Sequence, residues 1–204
     1  MQSLYKIIPQ SEFERIAQSS SDKISILQAI ADMCRLNALT AVKIAGSGHL
    51  GSSLSSMEIF TYLYHAILHP TPERLTDPDR HIFFSSKGHD VPGQYSVLYS
   101  LGIINQEQLL KLRRLGGLDG HPDIHVPGIE ANSGSLGMGI SKAKGMAWAK
   151  KASGRKGHVF VLTGDGEFQE GQNFEALQSA IPQGISHLTV IMDHNKVQSD
   201  KKVD

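Results

Sequence analysis

The stretch from His158 to Asn195 constrains this chain most. His158-Val-Phe-Val-Leu-Thr163 is an apolar run of the kind carried by a strand buried on both faces, and Leu188-Thr-Val-Ile-Met-Asp193 repeats it. Between them, Gly164-Asp165-Gly166 reads as a tight turn and Glu170 to Ile181 has helical spacing. Strand, crossover helix and strand form a βαβ unit, so the expected class is α/β with a parallel sheet. In such sheets ligands gather at the carboxyl ends of the strands, where both the Gly164-Asp165-Gly166 turn and Asp193-His194-Asn195 fall.

The rest of the chain supplies helices around that unit. Residues 1–21 are weakly patterned, end in three serines, and read as an N-terminal arm to a domain over 22–204. From Asp22, the residues Leu27, Ile30, Ala31, Cys34, Ala38 and Val42 share one helical face, which should stop at Gly46 or Gly48. A second helix is expected from Ser55 to Leu68, ended by Pro70, and His81 to Ser85 reads as a short strand. Helical stretches at Gln94–Leu101 and Gln106–Leu115 lead into a glycine-rich segment over 116–139, then a helix over Ile140–Lys151. A loop as long as 116–139 is usually functional or disordered.

Composition removes several functions. Lys plus Arg and Asp plus Glu number 20 each, so there is no cationic surplus to hold nucleic acid or an anionic membrane, and neither is expected as a partner. No apolar run approaches the ~20 residues of a membrane-spanning helix. Met1 to Gln10 lacks the basic start and apolar stretch of a signal peptide, and the single cysteine, Cys34, fits a reducing compartment, so a cytoplasmic protein is expected. Against that ordinary background stand 20 glycines and ten histidines, a combination suited to binding an anion and moving protons.

Gly46-Ser-Gly48-His-Leu-Gly51 matches the dinucleotide-binding GxGxxG pattern, but that motif needs a strand before it and here a long helix precedes it. His121 and His125 have i, i+4 spacing, yet Pro122 and the nearby glycines oppose the helix that would make the spacing a zinc site. The turn at Asp165 is more informative. A carboxylate, the amide of Asn195 and a nearby backbone carbonyl are hard oxygen ligands suited to Mg²⁺, with Ca²⁺ a possible substitute, and they leave room for a diphosphate and a water. Alone, the turn is equally a plain strand-to-helix connection. Joined to Asn195 across one helix, the pattern is far more specific.

Five motifs in order then resemble the transketolase family over roughly residues 25–200. They are Ser47-Gly-His-Leu-Gly51, Ser86-Lys-Gly-His89, Gly120-His-Pro122 with Pro127-Gly128, Ser133-Gly-Ser-Leu-Gly137-Met-Gly139, and GDGE with EG at 170–171 followed by DHN at 193–195. The resemblance is greatest to amino-terminal subunits or fragments. It implies a three-layer parallel sheet with helices on both faces, the thiamine diphosphate-binding fold. It further implies thiamine diphosphate and Mg²⁺ as cofactors, the metal held by Asp165, Asn195 and the carbonyl of Val197. Gly166 would lie against the diphosphate, and His89 would contact the diphosphate or the donor sugar. Gly134, Ser135 and Leu136 would line the cofactor near its aminopyrimidine, and Glu170 would join an acidic network linking paired active sites. His49 and His121 would face the donor sugar, bonding hydroxyls and shuttling protons.

The expected activity is transfer of a two-carbon ketol unit from a ketose phosphate to an aldose phosphate in the pentose phosphate pathway. An imidazole with a pKa near ~6.5 can take and return the hydroxyl proton this requires. His49, His89 and His121, each preceded by glycine, are the candidates, while the other seven histidines read as surface or capping residues. Cofactor activation in the family needs a pyrimidine-binding domain, so the chain is expected to form a homo- or hetero-oligomer with a separate partner subunit. The family's first domain also runs on past the position of Asp204, so the chain is expected to be truncated at its C-terminal end. Two other readings remain open: a deoxyxylulose-phosphate synthase or similar thiamine enzyme, and an inactive cofactor-binding or assembly module.

Overall fold

A computed structural model describes residues 6–198 and 201–203. They fall into two compact units. One comprises the chain up to Pro72 with His89–His121 and His125–Gly128; the other comprises Glu73–Gly88, Pro122–Ile124 and the chain from Ile129 onward.

The first unit is helical, with α1 (Gln10–Ala17), α2 (Lys23–Ala45), α3 (Leu50–Ser55), α4 (Met57–Tyr62), α5 (Val91–Ser100) and α6 (Gln106–Leu110). Asp22 starts α2 by accepting hydrogen bonds from the N–H groups of Ile24 and Ser25, and Gly46 ends it in the left-handed conformation. The predicted face is the buried one: Ile30, Ala31, Cys34 and Ala38 are inside, joined by Ala41. They pack with Met57 and Phe60 of α4 and with α5. Every residue of α5 is buried. Two of its polar side chains bond within the unit: Gln94 Nε2 donates to the Tyr64 hydroxyl at 2.8 Å, and Ser96 Oγ to the Cys34 carbonyl at 2.7 Å.

Three readings are refined here. The segment read as an arm contains α1, whose Phe13 is buried edge-on against Tyr99; residues 1–5 lie outside the described residues. Phe13, Ile16 and Ala17 have helical spacing there, over only two turns. The helix expected over 55–68 starts at Leu50, breaks at Ser56, and finishes as a π-turn over Leu63–Leu68, where His69 turns left-handed just before Pro70. The helix expected to Leu115 stops at Leu110, because Arg113 takes a positive φ of 55° and its N–H bonds the Leu118 carbonyl instead.

The second unit carries the α/β architecture. Strands β1 (Ile82–Ser85), β2 (Val159–Gly164) and β3 (Leu188–Asp193) pair in parallel in that order, in register from Ile82 against Val159 and Val159 against Leu188. Helix α7 (Gly139–Ala152) packs on β2 and β3, and α8 (Gly171–Ala180) packs on α7. The core is small residues against branched ones: Ala143, Ala147 and Ala176 from the helices meet Val159 and Val161 from β2, with Phe84 and Ile140. The alanines let the helices approach closely, which explains the weak amphipathic pattern of 140–151. A short antiparallel pair, β4 (Val197–Gln198) and β5 (Lys201–Lys202), closes the described chain. The α/β parallel class expected from the sequence is the class observed. No helix among the described residues is long and apolar enough to cross a membrane.

Candidate active site

Parallel pairing dictates the geometry at the carboxyl edge of the sheet. Gly164 ends β2 directly opposite Asp193 at the end of β3, and the Asp165 N–H continues the ladder to the Asp193 carbonyl at 3.2 Å. The two motifs therefore leave the sheet side by side. Asp165 is 5% exposed, and its carboxylate is held by the N–H of Gly166 at 2.8 Å and of Lys196 at 2.7 Å. Lys196 is left-handed (φ 62°), a conformation that a residue with a side chain adopts at a cost and that clusters at functional sites. The Asn195 amide oxygen accepts from the Val197 N–H at 2.8 Å, while its nitrogen donates to Asp193 at 3.3 Å. Gly166 must be glycine: a Cβ there would sit 2.7 Å from that of Gln198.

Asp165, on the turn after β2, is thus joined through the Lys196 N–H to the turn after β3 that carries Asn195 and Val197. Their donor set is a carboxylate, an amide oxygen and a carbonyl, and each oxygen has two lone pairs, so those already bonded retain acceptor capacity. This chemistry fits a hard divalent cation. Among the described residues no group of three or more His, Cys, Asp or Glu could hold a metal, and the chain through His121–His125 is irregular.

The remaining cofactor candidates of this unit fall in two places. Gly134, Ser135 and Leu136 belong to the irregular segment before α7, where Gly134 lies against Gly88 and Leu136 is exposed. Glu170 is exposed at the start of α8, beside Gly137.

In the helical unit, the three candidate histidines cluster. The rings of His49 and His89 are 5.2 Å apart, and burial, Arg113 and His49 together hold the His121 imidazole below its ordinary basicity despite the opposing charge of Asp90. Ser53, fully buried, donates to the carbonyls of both His49 and Asp90, at 3.0 and 3.2 Å, and so ties the two histidine segments together. Of the histidines read as capping or surface groups, His158 bonds Thr189, His187 bonds the Ala147 carbonyl and His65 bonds Ser100.

Sequence reasoning missed three buried charged groups at the carboxyl edge. Lys87, 2% exposed, donates to Asp193, 6% exposed, at 2.8 Å. Glu167, 4% exposed, accepts from Ser86 and from the N–H groups of Gly137 and Gly164. His194, exposed as its surface reading expects, places Nδ1 3.2 Å from Asp165 Oδ2. The available signal was a charge at or just past the end of a mostly apolar strand.

Comparison with known proteins settles the family. The model of the transketolase thiamine diphosphate binding domain matches residues 26–204. This chain belongs to the transketolase family. It is 42% identical over 189 residues to one subunit of an apulose-4-phosphate transketolase from Actinobacillus succinogenes, covering 92% of this chain and 64% of that protein. It is 36% identical over 176 residues to a 6-deoxy-6-sulfo-D-fructose transketolase subunit from Clostridium sp. (strain MSTE9), covering 85% of this chain and 64% of that one. The chain therefore spans just under two thirds of the length of these curated relatives. Among solved structures it resembles transketolase from Leishmania mexicana, with a TM-score of 0.76 at 28% identity over 84% of this chain and 28% of that one. The transketolase-family chain thus carries the α/β thiamine diphosphate-binding fold.

Proposed function

We propose that this chain is the thiamine diphosphate-binding part of a transketolase, moving a two-carbon ketol unit from a ketose phosphate to an aldose phosphate. The observation that carries this is the pair of adjacent turns, after β2 and after β3, that bring Asp165 beside the Asn195–Val197 segment at the carboxyl edge of the sheet. Asp165, Asn195 Oδ1 and the Val197 carbonyl would hold Mg²⁺, with Gly166 giving the diphosphate close access. Gly134, Ser135 and Leu136 would line the cofactor near its aminopyrimidine, and Glu170 would reach the acidic network of a partner. When bound, thiamine diphosphate supplies the carbon nucleophile that attacks the ketose carbonyl.

Proton movement falls to the histidines. His121, held below its ordinary basicity, is neutral near pH 7 and can accept the donor's hydroxyl proton at a ring nitrogen, then return it to the acceptor aldehyde. His49 and His89 donate hydrogen bonds to the substrate hydroxyls or, for His89, to the diphosphate. The names of the relatives, both subunits, support assembly with a separate pyrimidine-binding chain.

The test is calorimetric titration of thiamine diphosphate into the chain with and without Mg²⁺, followed by a ketol-transfer assay with a pyrimidine-domain partner. We expect Mg²⁺-dependent binding that tightens on assembly. Asp165→Ala should weaken it at least ~10–100-fold, the range seen when even outer groups of a metal site are removed, and Asn195→Ala should weaken it less. Unchanged Mg²⁺ dependence in Asp165→Ala would reduce the turn to a connection. A product from pyruvate, with none from ketose phosphates including apulose 4-phosphate, would overturn the ketol-transfer assignment.

A further inference from the structure

The turn that presents Asp165 is not self-supporting. Gly164 donates its N–H outside the sheet ladder, to Glu167 Oε2 at 3.1 Å. The other oxygen of that carboxylate accepts from the N–H of Gly137, at 3.0 Å, and from the hydroxyl of Ser86. Three segments therefore end on one buried side chain. Ser86 directly follows β1, Gly137 closes the Ser133–Gly137 loop, and Gly164 opens the Asp165 turn. Glu167 is itself fixed, because its own carbonyl accepts from the buried Asn173 amide at 2.8 Å and from the Glu170 N–H at 3.0 Å.

We infer that Glu167 is a positioning residue for the cofactor, acting through the backbone of the three segments it gathers. This rests on the function proposed above. The chemistry asks for a carboxylate: three donors converge on two oxygens, and a carboxylate offers acceptors only. A glutamine would turn an NH₂ group toward one of the N–H donors, leaving a buried amide facing another donor. Asp165 and Gly134–Leu136 would each shift with the segment that carries them.

A buried charge that only braces the fold is available for comparison in the same unit. Lys150 donates to the carbonyls of Pro78, Arg80 and Lys156, at 2.7–2.9 Å, near the amino ends of β1 and β2. It gathers backbone groups as Glu167 does, but at the opposite edge of the strands. The two variants Glu167→Gln and Lys150→Met therefore separate positioning from bracing.

The experiment measures three quantities on the full chain: the thermal midpoint, the affinity for thiamine diphosphate with Mg²⁺, and amide hydrogen exchange at Gly137 and Gly164 without cofactor. Glu167→Gln should weaken cofactor binding at least tenfold and speed exchange at both glycines. Lys150→Met should lower the midpoint while leaving cofactor affinity within twofold of the parent. Should Glu167→Gln fail to fold, Ser86→Ala removes one donor with little change in volume and should weaken binding several-fold. Parent-like affinity in Glu167→Gln, or in Ser86→Ala where that variant stands in, overturns the inference while the proposed function survives. Equal losses of affinity in Glu167→Gln and Lys150→Met also overturn it. A parent chain that binds no thiamine diphosphate overturns the proposed function, and this inference with it.

Discussion

Gly88 offers a quantitative test of how closely the motif loops are packed. It is left-handed (φ +69°), and a Cβ added there would meet the Gly134 nitrogen at 2.6 Å, the Gly134 Cα at 2.7 Å and the Ser133 carbonyl carbon at 2.8 Å. All three are backbone atoms, so no side-chain rotation relieves the clash. Gly154 is the matched control: its φ is +65°, and nothing lies within 4 Å of an added Cβ. Alanine at either position incurs the left-handed penalty of ~1–2 kcal/mol. Only Gly88→Ala adds the overpacking cost, ~1–3 kcal/mol where a packed backbone must move. At ~2–4 °C per kcal/mol for a chain of this size, the midpoint of Gly88→Ala should fall ~2–12 °C below that of Gly154→Ala in calorimetric melting. Because the displaced segment includes Gly134, proposed to line the cofactor, Gly88→Ala should also weaken thiamine diphosphate binding and Gly154→Ala should not. Equal midpoints would refute the packing argument. A large midpoint gap with unchanged affinity would remove the Gly134 loop from the cofactor site.

Burial, with a smaller contribution from His69, pulls the pKa of His65 down to about 4 from 6.5, so the folded chain resists a proton that the unfolded chain accepts. Stability from this residue is complete above pH 6.5 and is lost as pH falls toward 4, a loss of about 3 kcal/mol at 1.36 kcal/mol per pH unit; His65→Gln should flatten that part of the urea-stability profile. Burial raises the Cys34 thiol to about 12, so iodoacetamide at neutral pH should label the chain only after denaturation, as read by intact mass. His121→Asn should lower kcat for ketol transfer by ~10²–10⁴-fold with little change in thermal midpoint, because His121 is only partly buried; a midpoint loss with unchanged kcat would mark it as structural.

The parts of the fold legible in the sequence are those in which local pattern and tertiary role coincide. Residues 158–193 announced β2, α8 and β3 because two apolar strands joined by one crossover leave a single compatible pairing, and that pairing places Gly164 opposite Asp193, although β3 proves to be a part-exposed edge strand rather than one buried on both faces. The side-by-side exit of the Asp165 and Asn195 motifs followed from the same reasoning. Lys87, Asp193 and Glu167 were not legible in this way. Pattern reading assigns charges to solvent, and each of these depends on a partner distant in sequence, Lys87 and Asp193 being 106 residues apart and Ser86 and Glu167 being 81. The break at Ser56 and the left-handed Arg113 escaped for another reason: both are set by backbone conformation, with no local residue preference to betray them.

The energetics of the carboxyl edge bear on why such charges are there. A buried ion pair such as Lys87–Asp193 loses about as much in desolvation as it gains in attraction, and apolar replacements of similar volume are often neutral or stabilising. Stability alone therefore gives little reason to bury Lys87, Asp193 and Glu167 within two residues of a strand end or of the Asp165 turn. What they supply is direction. Asp193 accepts from Lys87 and also from the Asn195 amide nitrogen, which turns the amide oxygen away from Asp193, while Glu167 fixes the N–H groups of Gly164 and Gly137. The amino edge needs no such control, and there one ammonium, Lys150, meets three carbonyls. Buried polar groups thus concentrate where oxygens must be aimed, the arrangement expected if this edge is shaped to hold a cation and a diphosphate.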